Sequence, residues 1–282
     1  MKLKFSFLGF LIAALIICTS YRVDAAALGT DWNSQKITVT GTGVPTPGTY
    51  GAQARISAER AAIADAYRQL AEIVQGVQID AETTVEMAMV KSDTIKMSVH
   101  SVVQGAKIIN KNVTSDGACE ITLELPMFGS GNSLAKSVWE NRSEYVEPSA
   151  YIEPFPEPQS QRITASASVT IDVKGGYTGL VIDCRGFYLQ PVMSPVIKNA
   201  KGQKIYGHKN LDYDKVIEYG MASYADSMSQ AQRAGSNPLV VRAVKVDDFD
   251  ANPVVSMQDA ELILSENKYS NFLEDTAVVF LY

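Results

Sequence analysis

The residues best placed for chemistry are Asp183, Arg185 and His208. Asp183 and Arg185 close the run LVIDCRG, and the carboxyl end of a strand is where α/β sheets hold ligands. The two also share a strand face, so they could simply pair with one another. His208 stands with Asp212 and Asp214 in HKNLDYD. One histidine with two aspartates makes a thin metal site, and aspartates before an apolar-periodic segment serve as helix N-caps, the reading favoured here. Asp248, Asp250 and Asn252 match the first ligands of a calcium loop, but Pro253 stands where glycine is required and Asp259 where glutamate is. A polar turn before a helix is the better reading. Ser133-Leu-Ala-Lys136 spells the SxxK of penicillin-recognising enzymes, without a clear SDN or KTG partner. Gly41-Thr-Gly43-Val-Pro45-Thr fails the phosphate-loop pattern at its last position, and Pro45 and Pro47 remove amide donors. His100 has no second histidine nearby. No catalytic, cofactor-binding or metal residue is therefore assigned. Asp183, Arg185 and His208 remain as candidates to line a cleft.

The elements that must position these residues read as an α+β protein. Lys36–Thr40 alternates as a strand and runs into the Gly/Pro stretch, read as a strand-to-helix turn. Gly51–Gly76 has no internal proline or glycine, and Ile56, Ile63, Tyr67, Leu70 and Val74 give it an apolar stripe with Ala62 and Ala66 beside it. It is expected to be a long helix across a small sheet, with Arg55–Glu59 and Arg68–Glu72 as solvated i,i+4 pairs. Residues 77–90 begin as a strand, residues 93–104 form a second helix capped by Asp93 or Thr94, and 106–113 with 119–127 form a hairpin about Asp116-Gly117. This first domain covers residues 34–128. Residues 129–161 hold a short helix and a stiff linker containing Pro148, Pro154, Pro156 and Pro158.

Residues 162–282 read as a second, mixed α/β domain. Strands are expected at 164–173, 179–185, 196–199, 203–206, 239–246 and 277–281. A single amphipathic helix is expected from Asp214 to Ala234, and another opens at the capping box Ser256–Asp259. The closing strand–helix–strand unit favours at least one parallel pair.

The first 25 residues concern the compartment. Lys2 and Lys4 precede the apolar run Phe5–Ile17, and Val23-Asp24-Ala25 offers a small-residue cleavage site. The run is too short to span a bilayer comfortably, so it reads as a secretory signal peptide cleaved near Ala25. Cys18 follows bulky Ile17 and reads as part of the discarded signal rather than as a lipid anchor. The net charge of −6 disfavours nucleic acid, whose phosphates demand a basic surface. Cys119 and Cys184 fall in phase with apolar strand residues and read as separate core thiols.

The runs ITVTGTGVP, ARISAERAAIADAYRQLAEIVQGVQIDAETTV and VVQGAKIINKNVTSDGACEITLELPM, within residues 36–127, resemble the bacterial twenty-kilodalton surface-lipoprotein family. That family's domain is similar to the N-terminal domain of the flagellar T-ring assembly protein. The most specific stretch is Ala58–Asp80. The resemblance implies an envelope-located domain with a helix across a small sheet, a binding or assembly role, and no family active site to carry over.

The function these readings lead to is a non-enzymatic, exported protein of the cell envelope, in the periplasm or at the outer membrane. It would bind envelope proteins or surface components, with no cofactor. Two other functions are compatible with the sequence. One is a hydrolase or ligand-binding enzyme with Asp183, Arg185 and His208 lining a cleft of the second domain. The other is a flagellar accessory protein.

Overall fold

In the computed structural model, which describes residues 29–140, 153–158 and 174–282, the first half is built on a glycine seat. Strand β2 (Lys36–Gly43) carries Gly41 and Gly43 on the face that meets helix α1 (Gly51–Gly76). A Cβ on Gly41 would lie 2.2 Å from the Ala66 nitrogen, and one on Gly43 would lie 2.2 Å from the Ala58 carbonyl oxygen. The helix backbone thus rests directly on the strand. Its buried ridge is Ala58, Ala62, Ala66, Leu70 and Val74, spaced by four. This corrects the expected stripe: Ile56 is half exposed, and Ile63 and Tyr67 are only partly buried. It also gives the GTG motif its structural role, since both glycines lie inside a strand rather than in a turn.

The rest of this half follows. Strands β1 (Gly29–Asp31), β3 (Lys107–Val113) and β4 (Cys119–Pro126) complete an antiparallel sheet in the order β1-β2-β4-β3. Residues 77–84 form no strand beyond the single bridge Gln78–Thr84, and the chain enters helix α2 (Val85–Lys91), capped by Thr84. Helix α3 (Asp93–Gln104) is capped by Ser92, not Asp93 or Thr94, through a 3.3 Å bond from the Ile95 amide. Arg68 pairs with Glu72 at 2.7 Å as expected, whereas Glu59 reaches across to Lys111 at 2.5 Å. Helix α4 (Leu134–Trp139) starts at Ser133, whose hydroxyl accepts from the Lys136 amide. The SxxK spacing is therefore an N-cap.

The second half is a seven-stranded mixed sheet in the order β7-β6-β10-β9-β5-β11-β8. Its strands are β5 (Gly179–Asp183), β6 (Ile197–Asn199), β7 (Lys204–Tyr206), β8 (Ser223–Ala225), β9 (Pro238–Asp247), β10 (Asn252–Val255) and β11 (Val278–Leu281). β5 pairs in parallel with both β9 and β11, so the strands of the closing unit run parallel, but β5 stands between them and they form their parallel pairs with it rather than with each other. The helix expected over 214–234 is interrupted. Helix α5 (Tyr213–Tyr219) stops at Gly220, which has φ 74° and sits where a Cβ would meet the Phe128 ring at 2.9 Å. The chain then forms β8 and two 3-10 turns, Met228–Gln230 and Gln232–Ala234. Helix α6 (Met257–Ser270) opens with the expected reciprocal cap, Ser256 with Asp259. The expected signal peptide, Cys18 and the strand at 164–173 lie outside the described residues.

The two sheets share one hydrophobic core instead of standing apart on a spacer. Gly129 donates to the Ile217 carbonyl at 2.9 Å, Met193 to Gln78 at 3.0 Å and Ser194 to Ile79 at 2.8 Å. Of the proline-rich stretch, residues 153–158 lie against the second half, with Phe155 stacked on Tyr206.

Candidate functional site

The structure brings Asp183 and Arg185 together and puts His208 elsewhere. Asp183 ends β5, and Arg185 returns onto it with Nε 2.9 Å from Oδ1 and Nη2 2.7 Å from Oδ2. The paired guanidinium brings the Asp183 carboxyl down to about 2, against the opposing effect of partial burial. Arg242 of β9, its register partner on the neighbouring strand, adds to the effect. Their mutual pairing is the arrangement that a shared strand face allows. His208 begins a 3-10 turn after β7, and β6, β10 and β9 stand between β7 and β5 in the sheet.

The other motifs resolve as structure. Asp212 caps α5, accepting from the Asp214 and Lys215 amides at 2.9 and 3.2 Å. In the calcium-like segment, Asp248 is taken by Lys198 at 2.5 Å and by Asn252 Nδ2 at 2.7 Å, and Asn252 Oδ1 accepts from the Val196 N–H. Among the described residues no group of three His, Cys, Asp or Glu side chains converges as a metal site would require. Cys119 and Cys184 are buried separately as free thiols, and burial pushes Cys184 up to about 12.

A different place collects polar groups: an open cleft of about 560 Å³ where the two halves meet. The turn between β1 and β2 brings Asn33 and Gln35. Asp31 fixes this turn by accepting from the amides of Asn33 at 2.9 Å and Ser34 at 3.0 Å and from the Ser34 hydroxyl. Burial raises the Asp31 carboxyl, but these bonds outweigh it and its pKa is lowered. Gln35 has φ 57°, and its side-chain amide donates to the Ala222 carbonyl at 3.1 Å. The second half contributes Glu218 and Tyr219 from the end of α5, Ser223 of β8, Gln230 and Arg233 from the 3-10 turns, and Thr276 before β11.

Arg233 organises this wall. Its Nε donates to the Thr276 carbonyl at 2.6 Å, Nη1 to the Tyr219 carbonyl at 2.7 Å, and Nη2 to the Gly220 carbonyl and the Thr276 hydroxyl at 2.6 and 2.7 Å. All these acceptors are neutral. The guanidinium thereby caps the carbonyl end of α5, where a cation complements the helix dipole. Burial pulls its pKa below the ordinary value. The Tyr219 phenol is pushed up by its hydrogen bond to Glu218. What remains open to a ligand is a set of amide and hydroxyl groups, with the carboxylates of Glu218 and Asp275, beside the half-exposed Tyr219 ring. Such a set orients a polar partner by hydrogen bonds.

None of this cleft was singled out in the sequence. Its residues come from segments as far apart as Asn33 and Ala277, and Arg233 fell within the expected long helix.

Fold and cleft together describe an α+β protein in which a helix-on-sheet unit is fused to a mixed-sheet unit. Residues 31–126 match the LPP20 lipoprotein family, and residues 179–282 match the family described as Treponema pallidum Tp0624, second domain. The first match bears out the resemblance drawn from Ala58–Asp80. It supports an exported, lipoprotein-like protein of the bacterial envelope. No curated protein sequence matches the chain. Among the described residues no helix is long and apolar enough to cross a membrane.

Proposed function

We propose that this protein acts in the bacterial envelope by binding rather than by catalysis, and that the cleft between its two halves holds the partner or ligand. The observation that carries the reading is the cleft itself. Both halves build it, it is open, and its walls present hydrogen-bonding groups from Gln35, Tyr219, Ser223 and Gln230. The partner is an envelope protein or surface component with exposed polar groups. A core shared by both halves suits this role, because a preformed surface loses little entropy when it binds.

A photo-crosslinking amino acid placed at Tyr219, on the cleft rim, tests the proposal in intact cells. The control is the same residue at Tyr50, which is exposed at the start of α1. The expected result is a discrete adduct from position 219 and none from position 50. Uncrosslinked protein at both positions, in cells where fractionation finds it in the envelope, would overturn the proposal. N-terminal sequencing of the mature protein from the same fractions checks cleavage near Ala25 and the fate of Cys18.

A further inference from the structure

A second surface, independent of the cleft, already holds a peptide: the chain's own proline segment. Residues 153–158, Glu-Pro-Phe-Pro-Glu-Pro, cross the second half beside the turn His208–Asn210. The Phe155 ring lies parallel to that of buried Tyr206, with centroids 6.2 Å apart and planes 8° from parallel. The Asn210 side-chain amide donates to the Glu153 carbonyl at 3.0 Å and the Pro154 carbonyl at 3.2 Å. The Glu153 N–H donates to the Lys209 carbonyl at 2.9 Å. Charges fix both ends, Lys209 against Glu153 at 3.6 Å and Lys268 against Glu157.

The contacts form a recognition pattern. Three prolines in six residues keep the segment extended, so ordering it costs little. An aromatic platform that receives a ring, an amide that reads backbone carbonyls and cations that read flanking acids form a peptide site of the proline-rich kind. Each receiving group reads chemistry that any segment of this composition offers. Only Phe155 and Pro158 of the six are partly buried, and the other four are exposed, so the segment lies on the surface and is not threaded through the core.

We propose that Tyr206, Lys209, Asn210 and Lys268 form a binding site for acidic, proline-rich segments with a central aromatic residue. Glu153–Pro158 is its tethered occupant, and a partner segment of the same chemistry displaces it. Tethering on both sides gives the occupant an effective concentration on the order of millimolar, so a partner competes by offering several such segments or a better one.

The test uses the full mature chain and a fluorescent peptide with the sequence of residues 151–159. In the E153K/E157K double variant both end charges repel, and both positions are exposed, so the fold is kept, as circular dichroism would verify. Fluorescence anisotropy should show saturable binding to this variant and at least tenfold weaker binding to the unaltered chain. Adding N210A or K268E to the double variant should weaken binding at least tenfold. A peptide with alanine in place of Phe155 should not bind. Phe155→Ala in the chain provides a second way to vacate the site. The proposal is overturned if neither vacated variant binds the peptide up to millimolar concentration, or if binding is indifferent to N210A and K268E.

Discussion

Trp32, in the turn after β1, meets Tyr224 of β8 edge-on, with ring centroids 5.6 Å apart and planes at 70°. Tyr224 is fully buried, touches Phe280, and exchanges hydrogen bonds at 3.0 Å with the Val192 backbone. The contact therefore joins the rim of the first sheet to the buried face of edge strand β8 in the second half. An aromatic pair of this geometry is worth about 0.5–1.5 kcal/mol beyond its buried area. Trp32→Ala should destabilise the protein by about 2–3 kcal/mol, below the about 3–5 kcal/mol of a fully buried aromatic because Trp32 is only partly buried. Urea unfolding is the check, and a loss below about 0.5 kcal/mol would show that the halves do not lean on this contact.

Gly41→Ala should be among the most damaging single substitutions. Its Cβ would lie 2.2 Å from the Ala66 nitrogen and 2.4 Å from the Ala62 carbonyl oxygen, both of them backbone atoms of α1. The helix must lift off the sheet and open the ridge from Ala58 to Val74. A cost of at least about 3 kcal/mol is expected, the upper range for overpacking. Ser57→Ala, on the same helix but outside that ridge, should cost far less. Equal thermal shifts for the two would contradict the close-packed seat.

How much of this was legible in the sequence follows from which signals are local. Gly51–Gly76 reads as a helix from composition and bounding glycines, and its limits are those observed. Its buried face is another matter. Counting large apolar residues favours Ile56, Ile63 and Tyr67, whereas close approach selects alanine. The missing signal is Gly41-x-Gly43 taken together with Ala58, Ala62 and Ala66, two short patterns whose meaning depends on their contact. The segment 214–234 has a helical period, but Gly220 within it marks the break. The caps at Asp212 and Ser256 and the Asp183–Arg185 pair were readable because partners lie within four residues. The cleft was not, because Gln35, Tyr219 and Arg233 meet only after both sheets have folded and packed.

Arg185→Ala should release the Asp183 carboxyl toward the ordinary value near 3.8 from its present value of about 2. The folded value is depressed, so the ion pair contributes stability above pH 4. That contribution falls away as the pH drops through the interval toward 2. A carboxyl-detected NMR titration should show the Asp183 midpoint move upward by more than one unit in the variant. An unmoved midpoint would mean that Arg242 and the local backbone, not Arg185, hold the carboxylate.

The thiols of Cys119 and Cys184 should resist modification in the native state. Both are buried out of reach of reagent, and burial holds Cys184 at about 12, so little of its thiolate forms at neutral pH. Labelling of these two positions by an aromatic disulfide reagent, followed by peptide mapping, should proceed only at the rate of unfolding and go to completion in urea. Rapid native labelling of either thiol would show that its sheet opens locally.

Arg233 gives the sharpest separation between charge and geometry. Its planar group serves four oxygens in three directions, on Tyr219, Gly220 and Thr276. Thr276 is itself held at φ 52°, outside the conformations a β-branched residue prefers. Arg233→Met keeps the length of the side chain and removes every donor, leaving carbonyl groups at the end of α5 unsatisfied. At about 1–3 kcal/mol for a buried group left unpaired, the loss should be about 3 kcal/mol in total. Arg233→Lys keeps the cation at the helix end but cannot reproduce the fork, so it should restore less than half of that loss. Because these same carbonyls shape the wall beside Tyr219, the crosslink expected from position 219 should weaken in Arg233→Lys even where the protein remains folded. Full recovery of both stability and crosslinking by lysine would reduce the role of Arg233 to its charge alone.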